Sequence, residues 1–190
     1  VEFNPEKARA LLAQAGFPGG KGFPRLELMT TSREVQKTMA EAIQGMWKRH
    51  LGVHVDIRSC EWTAYKFAQN SMQYDFSSSS WSGDYLDPSS FLDLWSSASG
   101  NNNTGWSRPE YERLLAESRA TGDQEKRMAL LARAEALMLS ESPVIPLYWA
   151  RRSYLKSPEV RGWHPLLLDN HLFEDISLGA PREQGKEAAP

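Results

Sequence analysis

Residues 25–59 switch hydrophobic period twice. RLELMTT (25–31) alternates, with Leu26, Leu28 and Thr30 on one side, as a strand does. Val35, Met39, Ile43, Met46, Trp47 and Leu51 then recur at helical spacing until Gly52 stops the run. VHVDIRS (53–59) alternates again, with Val53, Val55 and Ile57 facing in and His54, Asp56 and Arg58 facing out. A connection of about twenty residues between two strands predicts parallel pairing and right-handed winding. The alternation between periods 2 and 3.6 predicts an α/β fold, a mixed sheet flanked by helices.

The remaining elements follow from local chemistry. Asn4-Pro5-Glu6 reads as a helix start, with Asn4 as N-cap and Pro5 in the first helical position. Ala8, Leu11, Leu12 and Ala15 share one face of that helix, which ends at Gly16. Thr31 and Glu34 are spaced as a capping box, and so are Ser107 and Glu110. WTAYKFAQN (62–70) reads as a short helix and YDFSSSSW (74–81) as a third strand. Tyr111, Leu114 and Leu115 form the apolar face of a helix behind Pro109. Asp123 caps another, whose inward face is Met128, Leu131, Ala134, Leu137 and Met138. PVIPLYWARRSYL (143–155) is apolar but broken by Pro143 and Pro146, which removes ladder donors and predicts an edge or entry strand. Residues 179–190 are polar, lack apolar anchors and read as a disordered tail.

Composition narrows the function classes. The chain is 190 residues, 41% hydrophobic and 24% charged, as a domain with a packed core requires. A net charge of -2 offers no basic face for nucleic acid. A mean hydropathy of -0.54 and the lack of a long uncharged apolar run argue against a membrane-spanning helix. The opening VEFNPEKARALL reads as the middle of a longer polypeptide.

Catalytic and metal signatures are weak. His50, His54, His164 and His171 have no second ligand at metal spacing, and no cofactor motif is present. Cys60 reads as a structural thiol. The acids Glu61, Asp84, Asp87 and Asp93 lie near Trp62, Trp81 and Trp95, an arrangement that also suits a glycosidase. Asp87 has a local explanation, as N-cap before Pro88. Two readings of Asp84 stand side by side: a solvated turn residue, or an acid at a strand's carboxyl end that meets a ligand cation.

Five ordered segments resemble one family: FNPEKARALLAQAGFP (3–18), LGVHVDIRSCEW (51–62), WSGDYLDPSSFL (81–92), NNTGWSRPEYERLL (102–115) and KRMALLARAEALMLSESPVIPLYW (126–149). Together they resemble the C-terminal part of the periplasmic oligopeptide- and dipeptide-binding proteins of ABC importers, the family 5 extracellular solute-binding proteins. The resemblance implies one lobe of a bilobed fold that closes around a peptide. Residues 1–155 would form most of the C-terminal ligand-binding lobe, 156–178 a crossover returning to the other lobe, and 179–190 the tail. Asp84 would hold the ligand's amino group, with Trp81 and Tyr85 as walls, and Asn102, Asn103 and Trp106 would shape side-chain pockets. Ser77 to Ser80 stand where some relatives carry an arginine for the ligand's carboxylate.

The implied partners are a peptide and the transmembrane subunits of an ABC permease, with no cofactor, no metal, no nucleic acid and no catalysis. A monomer in the periplasm or outside the cell is expected, free or lipid-anchored. The alternatives are another cargo on the same scaffold (nickel, a sugar or an opine), a carbohydrate-active enzyme using Asp84 and Glu61, or a chaperone or sensor reusing the fold.

Overall fold

The computed structural model describes residues 2–151, 153–166 and 168–179. The chain divides into two compact units: residues up to Trp81 together with Pro88–Ile145, and Ser82–Asp87 together with the chain from Pro146 onward.

The first unit is built on the strand–helix–strand feature. β1 (Leu26–Thr31) and β2 (Val55–Cys60) pair in parallel through α2 (Glu34–Leu51), in register from Leu26 with Val55 to Thr31 with Cys60. β3 (Phe76–Ser77) joins the other edge of β1, again in parallel, so the order is β2-β1-β3. α3 (Trp62–Asn70) links β2 to β3. Leu28, Ala40, Ile43, Val53 and Val55 form the core between α2 and the sheet, while Met29, Tyr65 and Ala68 pack on the α3 side. A second core joins α5 (Pro109–Ala120) and α6 (Gln124–Glu141) through Tyr111, Leu114, Leu115, Leu130, Leu131, Ala134 and Met138, with Leu92 of the short helix α4 (Ser89–Leu92).

Local chemistry behaves as expected at several helix starts. Asn4 accepts from the Lys7 N–H at the head of α1 (Pro5–Gln14), and Asp123 accepts from the Lys126 N–H at the head of α6. Neither capping box forms. Thr31 stays in β1, where it pairs with Cys60, and Arg33 occupies the N-cap position of α2 without a side-chain bond. The sheet ladder outcompetes the local cap. Arg108, not Ser107, precedes α5, also without a side-chain cap. The apolar face of α2 is narrower than its spacing suggests. Ala40 and Ile43 are buried, whereas Val35 is 72% and Met46 42% exposed. Met128 likewise lies outside the buried face of α6, and Leu11 is exposed on α1.

Only Phe76 and Ser77 of segment 74–81 are in a strand, with the Ser78 N–H adding one further bond to the Met29 carbonyl. Among the described residues of 143–155 there is no strand, because the segment pairs with no neighbouring backbone there.

In the second unit, β4 (Val160–Arg161) and β5 (Ser177–Leu178) form an antiparallel pair. Trp163 sits between Tyr154, at 4.3 Å edge to face, and His171, stacked at 5.0 Å. His171 Nε2 lies 2.9 Å from Asp169 Oδ1. Of the expected tail, residues 180–190 lie outside the described residues.

Candidate functional site

All three strands of the first unit run the same way, so Thr31, Cys60 and Ser77 bring their carboxyl ends to one edge of the sheet. In open parallel sheets this edge is where ligands gather. Side chains alternate across it: Leu28, Thr30 and Phe76 face α2, and Met29, Thr31 and Ser77 face α3.

A chain of hydrogen bonds ties the end of β3 to both helices. The buried Tyr65 hydroxyl donates to the Ser78 carbonyl at 2.5 Å and lies 3.1 Å from Ser77 Oγ. Gln69 Nε2 donates to Tyr65 Oη at 3.0 Å and to Ser77 Oγ at 3.3 Å. Lys66 Nζ donates to Gln69 Oε1 at 2.8 Å. From the other helix, Gln36 Oε1 accepts from the Ser78 hydroxyl at 3.4 Å. Among the described residues, the Thr30 and Thr31 hydroxyls, buried at this edge, find no hydrogen-bond partner. Buried polar atoms are satisfied in the great majority of cases, so two adjacent ones on successive residues single out this end of the sheet. Trp62 stacks nearly parallel on Tyr65 at 5.9 Å. Glu61 accepts the Thr63 N–H at 2.8 Å, and that bond holds its carboxyl below the usual range. Glu61 therefore caps α3, a structural use for an acid that sequence reasoning had weighed as catalytic.

The expected site residues fall in both units. In the first, Trp81 is 40% exposed and its Nε1 donates to the Ser90 carbonyl at 3.1 Å. Asn102 Nδ2 reaches the carbonyls of Trp95, Ser96 and Trp106 at 3.1, 3.3 and 2.9 Å, and its Oδ1 accepts from the Thr104 N–H and hydroxyl. The amide is thus engaged on both atoms within its own loop. The Asn103 carbonyl accepts from the Tyr74 hydroxyl. Trp106 packs edge to face on Tyr111 at 4.8 Å and donates from Nε1 to Glu141 Oε2 at 2.8 Å. Arg108 Nε reaches the same oxygen at 2.6 Å. These two donors hold the Glu141 carboxyl below its ordinary range. Asp84 and Tyr85 belong to segment 82–87 of the second unit, where both are exposed and the Asp87 N–H donates to the Tyr85 carbonyl at 2.9 Å.

Sequence reasoning missed Gln36, Tyr65, Lys66 and Gln69. One signal was present. Tyr65 and Gln69 stand at i and i+4 on the face of α3 that also carries Ala68, so a glutamine occupies an otherwise apolar stripe.

The parallel sheet, its polar carboxyl edge and the ordered motifs define an α/β binding fold. The model of the bacterial extracellular solute-binding proteins, family 5 middle region, matches residues 1–103. The oligopeptide-binding protein OppA of Bacillus subtilis (strain 168) is 34% identical over 152 residues, which cover 80% of this chain and 28% of that protein. The dipeptide-binding protein DppE of the same strain is 34% identical over 163 residues, covering 85% of this chain and 30% of that one. A solved periplasmic oligopeptide-binding protein, OppAIV from Borrelia burgdorferi, superimposes with a TM-score of 0.84 at 33% identity, over 93% of this chain and 36% of that chain.

The chain belongs to the family 5 extracellular solute-binding proteins, and its α/β fold is that of the solved oligopeptide-binding proteins. It spans about a third of the length of the relatives it matches.

Proposed function

We propose that this chain is part of the substrate-binding component of an ABC peptide importer, acting outside the cytoplasmic membrane, free or lipid-anchored, as a non-catalytic monomer. The observation that carries the reading is its similarity, over four-fifths of the chain or more, to proteins named for binding oligopeptides and dipeptides. The complete protein captures a peptide between two lobes. It hands the peptide to the permease subunits when closure is released. Contacts made only in the closed state trap the ligand, since a ligand shifts a conformational equilibrium only by its differential affinity for the two states.

Asp84 is the proposed partner of the ligand's α-amino group. A carboxylate meeting an ammonium forms a charge-assisted bond, about twice as strong as a neutral one. Trp81 and Tyr85 present exposed rings as walls. Asn102 and Trp106 act one step back: the first holds its loop through both amide atoms, and the second packs on Tyr111. Asn103 fixes the loop through its carbonyl. In this reading residues 1–155 form most of the C-terminal ligand-binding lobe, and 156–178 form the crossover returning to the other lobe.

Native mass spectrometry of the full-length protein tests the reading. Co-purifying peptides are expected. A non-peptide cargo, or calorimetry showing no heat with any peptide mixture, would end it.

A further inference from the structure

We propose that the amino end of the sheet carries a second binding site, for a small organic anion whose oxyanion head, phosphate or carboxylate, meets Lys48, His54 and Arg25 and whose apolar body lies against Phe23. The site belongs to the first unit and does not depend on the peptide-binding reading. β1 and β2 are six residues long, which puts about 20 Å of strand between this end and the carboxyl edge.

A cavity of about 480 Å³ opens there, between α2, the loop before β1 and the start of β2. That volume lies in the range of small-molecule sites, about 300–1,000 Å³. At one end Gly20 and Gly52 meet backbone to backbone, and a Cβ on Gly20 would stand 2.4 Å from the Gly52 carbonyl oxygen. Gly45 lines the cavity from the interior of α2, where glycine is among the poorest helix formers. A Cβ on Gly45 would meet no atom within 4 Å, so no close packing requires glycine there. Its missing side chain leaves room at the cavity wall. The adjoining wall is fixed, because Gln44 donates from Nε2 to the Val55 carbonyl at 2.7 Å. Phe23, half-buried, is held edge to face against Phe17 at 5.2 Å.

The charges lining the cavity do not cancel. Arg25 and Asp56 neutralise each other through two parallel bonds, from Nε at 2.5 Å and Nη2 at 2.8 Å, which leaves Nη1 of the guanidinium for a ligand. The side chains of Lys48 and His54 have neither an ion pair nor a hydrogen bond among the described residues. The backbone offers Lys48 little in exchange. The carbonyls of Trp47, Lys48 and His50 at the end of α2 already accept from the Val53 N–H, the Gly52 N–H and Arg9. The ammonium keeps its three protons for a ligand, and an imidazole carries an N–H donor in either protonation state. Both side chains are exposed, so solvent screens the head-group contact and the expected Kd is about 0.1–1 mM.

Calorimetry on the full-length protein tests the site with phenyl phosphate, benzoate, inorganic phosphate and the neutral benzyl alcohol. The native protein is expected to bind at least one of the two aromatic anions, and the tighter of them names the head group. Lys48→Met should weaken that binding by about tenfold, the scale of one charge-assisted contact. Asp56→Asn releases the Arg25 charge and should strengthen it severalfold. Gly45→Leu improves helix propensity while filling the wall, so the variant should fold and lose the anion. Peptide affinity should stay within about twofold in all three variants. No binding of either aromatic anion, or binding unchanged in both Lys48→Met and Gly45→Leu, overturns the site and leaves the peptide reading untouched. Inorganic phosphate or benzyl alcohol binding as tightly as the aromatic anions overturns the assignment to an organic anion.

Discussion

The Tyr111 hydroxyl, fully buried, donates to the Leu92 carbonyl at 2.7 Å and so pins the short helix α4 to α5. Burial, with the nearby carboxylates Asp93, Glu112 and Glu135, raises the phenol's pKa far above its ordinary value, so it stays a donor at any physiological pH. Tyr111→Phe leaves a buried carbonyl without its partner. We expect a loss of about 1–3 kcal/mol, read from urea denaturation of the full-length protein.

Asn102 organises the loop that follows α4 by accepting from Thr104 and donating to three carbonyls. Asn102→Ala removes all of these at once from a half-buried position. The expected loss is about 1–2 kcal/mol. Asn102→Asp keeps the Oδ1 acceptor but turns a carboxylate oxygen toward those three carbonyls, so it should cost at least as much as the alanine variant. Denaturation midpoints for the three proteins check the order.

Gly52 ends α2 with φ +69°, in the left-handed region, and a Cβ there would stand 2.2 Å from the Gly19 carbonyl oxygen. Gly52→Ala combines the backbone penalty of about 1–2 kcal/mol with a contact that backbone must move to relieve. Gly16→Ala at φ +94° meets no atom within 4 Å and carries the backbone penalty alone. The difference between the two midpoints isolates the close approach of the two loops.

Acid stability has a definite sign. Asp56, beside Arg25, and Glu141, beside Arg108 and Trp106, are held below their ordinary pKa values, as is Glu61 by its helix-capping bond. A folded-state carboxyl with a lowered pKa contributes stability that is complete above its unfolded pKa and lost as pH falls through the lowered value. Denaturation midpoints should therefore change little on account of these groups between pH 7 and pH 5 and decline below about pH 4. Asp56→Asn combined with Glu141→Gln should lower the midpoint at neutral pH and flatten the acid decline.

Asp84 is the proposed contact for a ligand's amino terminus. Asp84→Ala in the full-length protein should weaken peptide binding by about 2–5 kcal/mol, as expected when a charge partner is removed. Blocking the peptide's amino group by acetylation should cost the native protein a comparable amount and cost the variant little. Calorimetry with the four combinations decides it, and unchanged affinity in Asp84→Ala removes the residue from the site.

Much of this architecture could be read from side-chain periodicity. The strands at 26–31 and 55–60, the helix between them and their parallel pairing follow from apolar spacing and connection length, because both are local properties of the chain. Two N-caps, Asn4 and Asp123, were equally local. The capping box at Thr31 was not, because the competing bonds come from β2, a strand that starts more than twenty residues later. The face of α2 was misjudged at Val35 and Met46 because spacing shows which residues share a side, whereas burial depends on how far the sheet extends beneath them. The apolar run 143–155 has β-branched and aromatic content, yet content supplies no partner strand.

The candidate site divides along the same line. Amino-acid order alone carried the family, through five motifs that survive as local patterns, and it marked Trp81, Asp84 and Tyr85 as a cluster of chemistry-bearing residues. It could not reveal that Asn102 and Trp106 are engaged in their own loop and core, nor that Tyr65, Lys66, Gln69, Ser77 and Ser78 form one directed network. Those relationships join α3 to a strand that begins six residues after it ends, and to α2 on the other side of the sheet. Hydrophobic spacing is written residue by residue, but a hydrogen bond between elements exists only once packing has fixed where each donor and acceptor points.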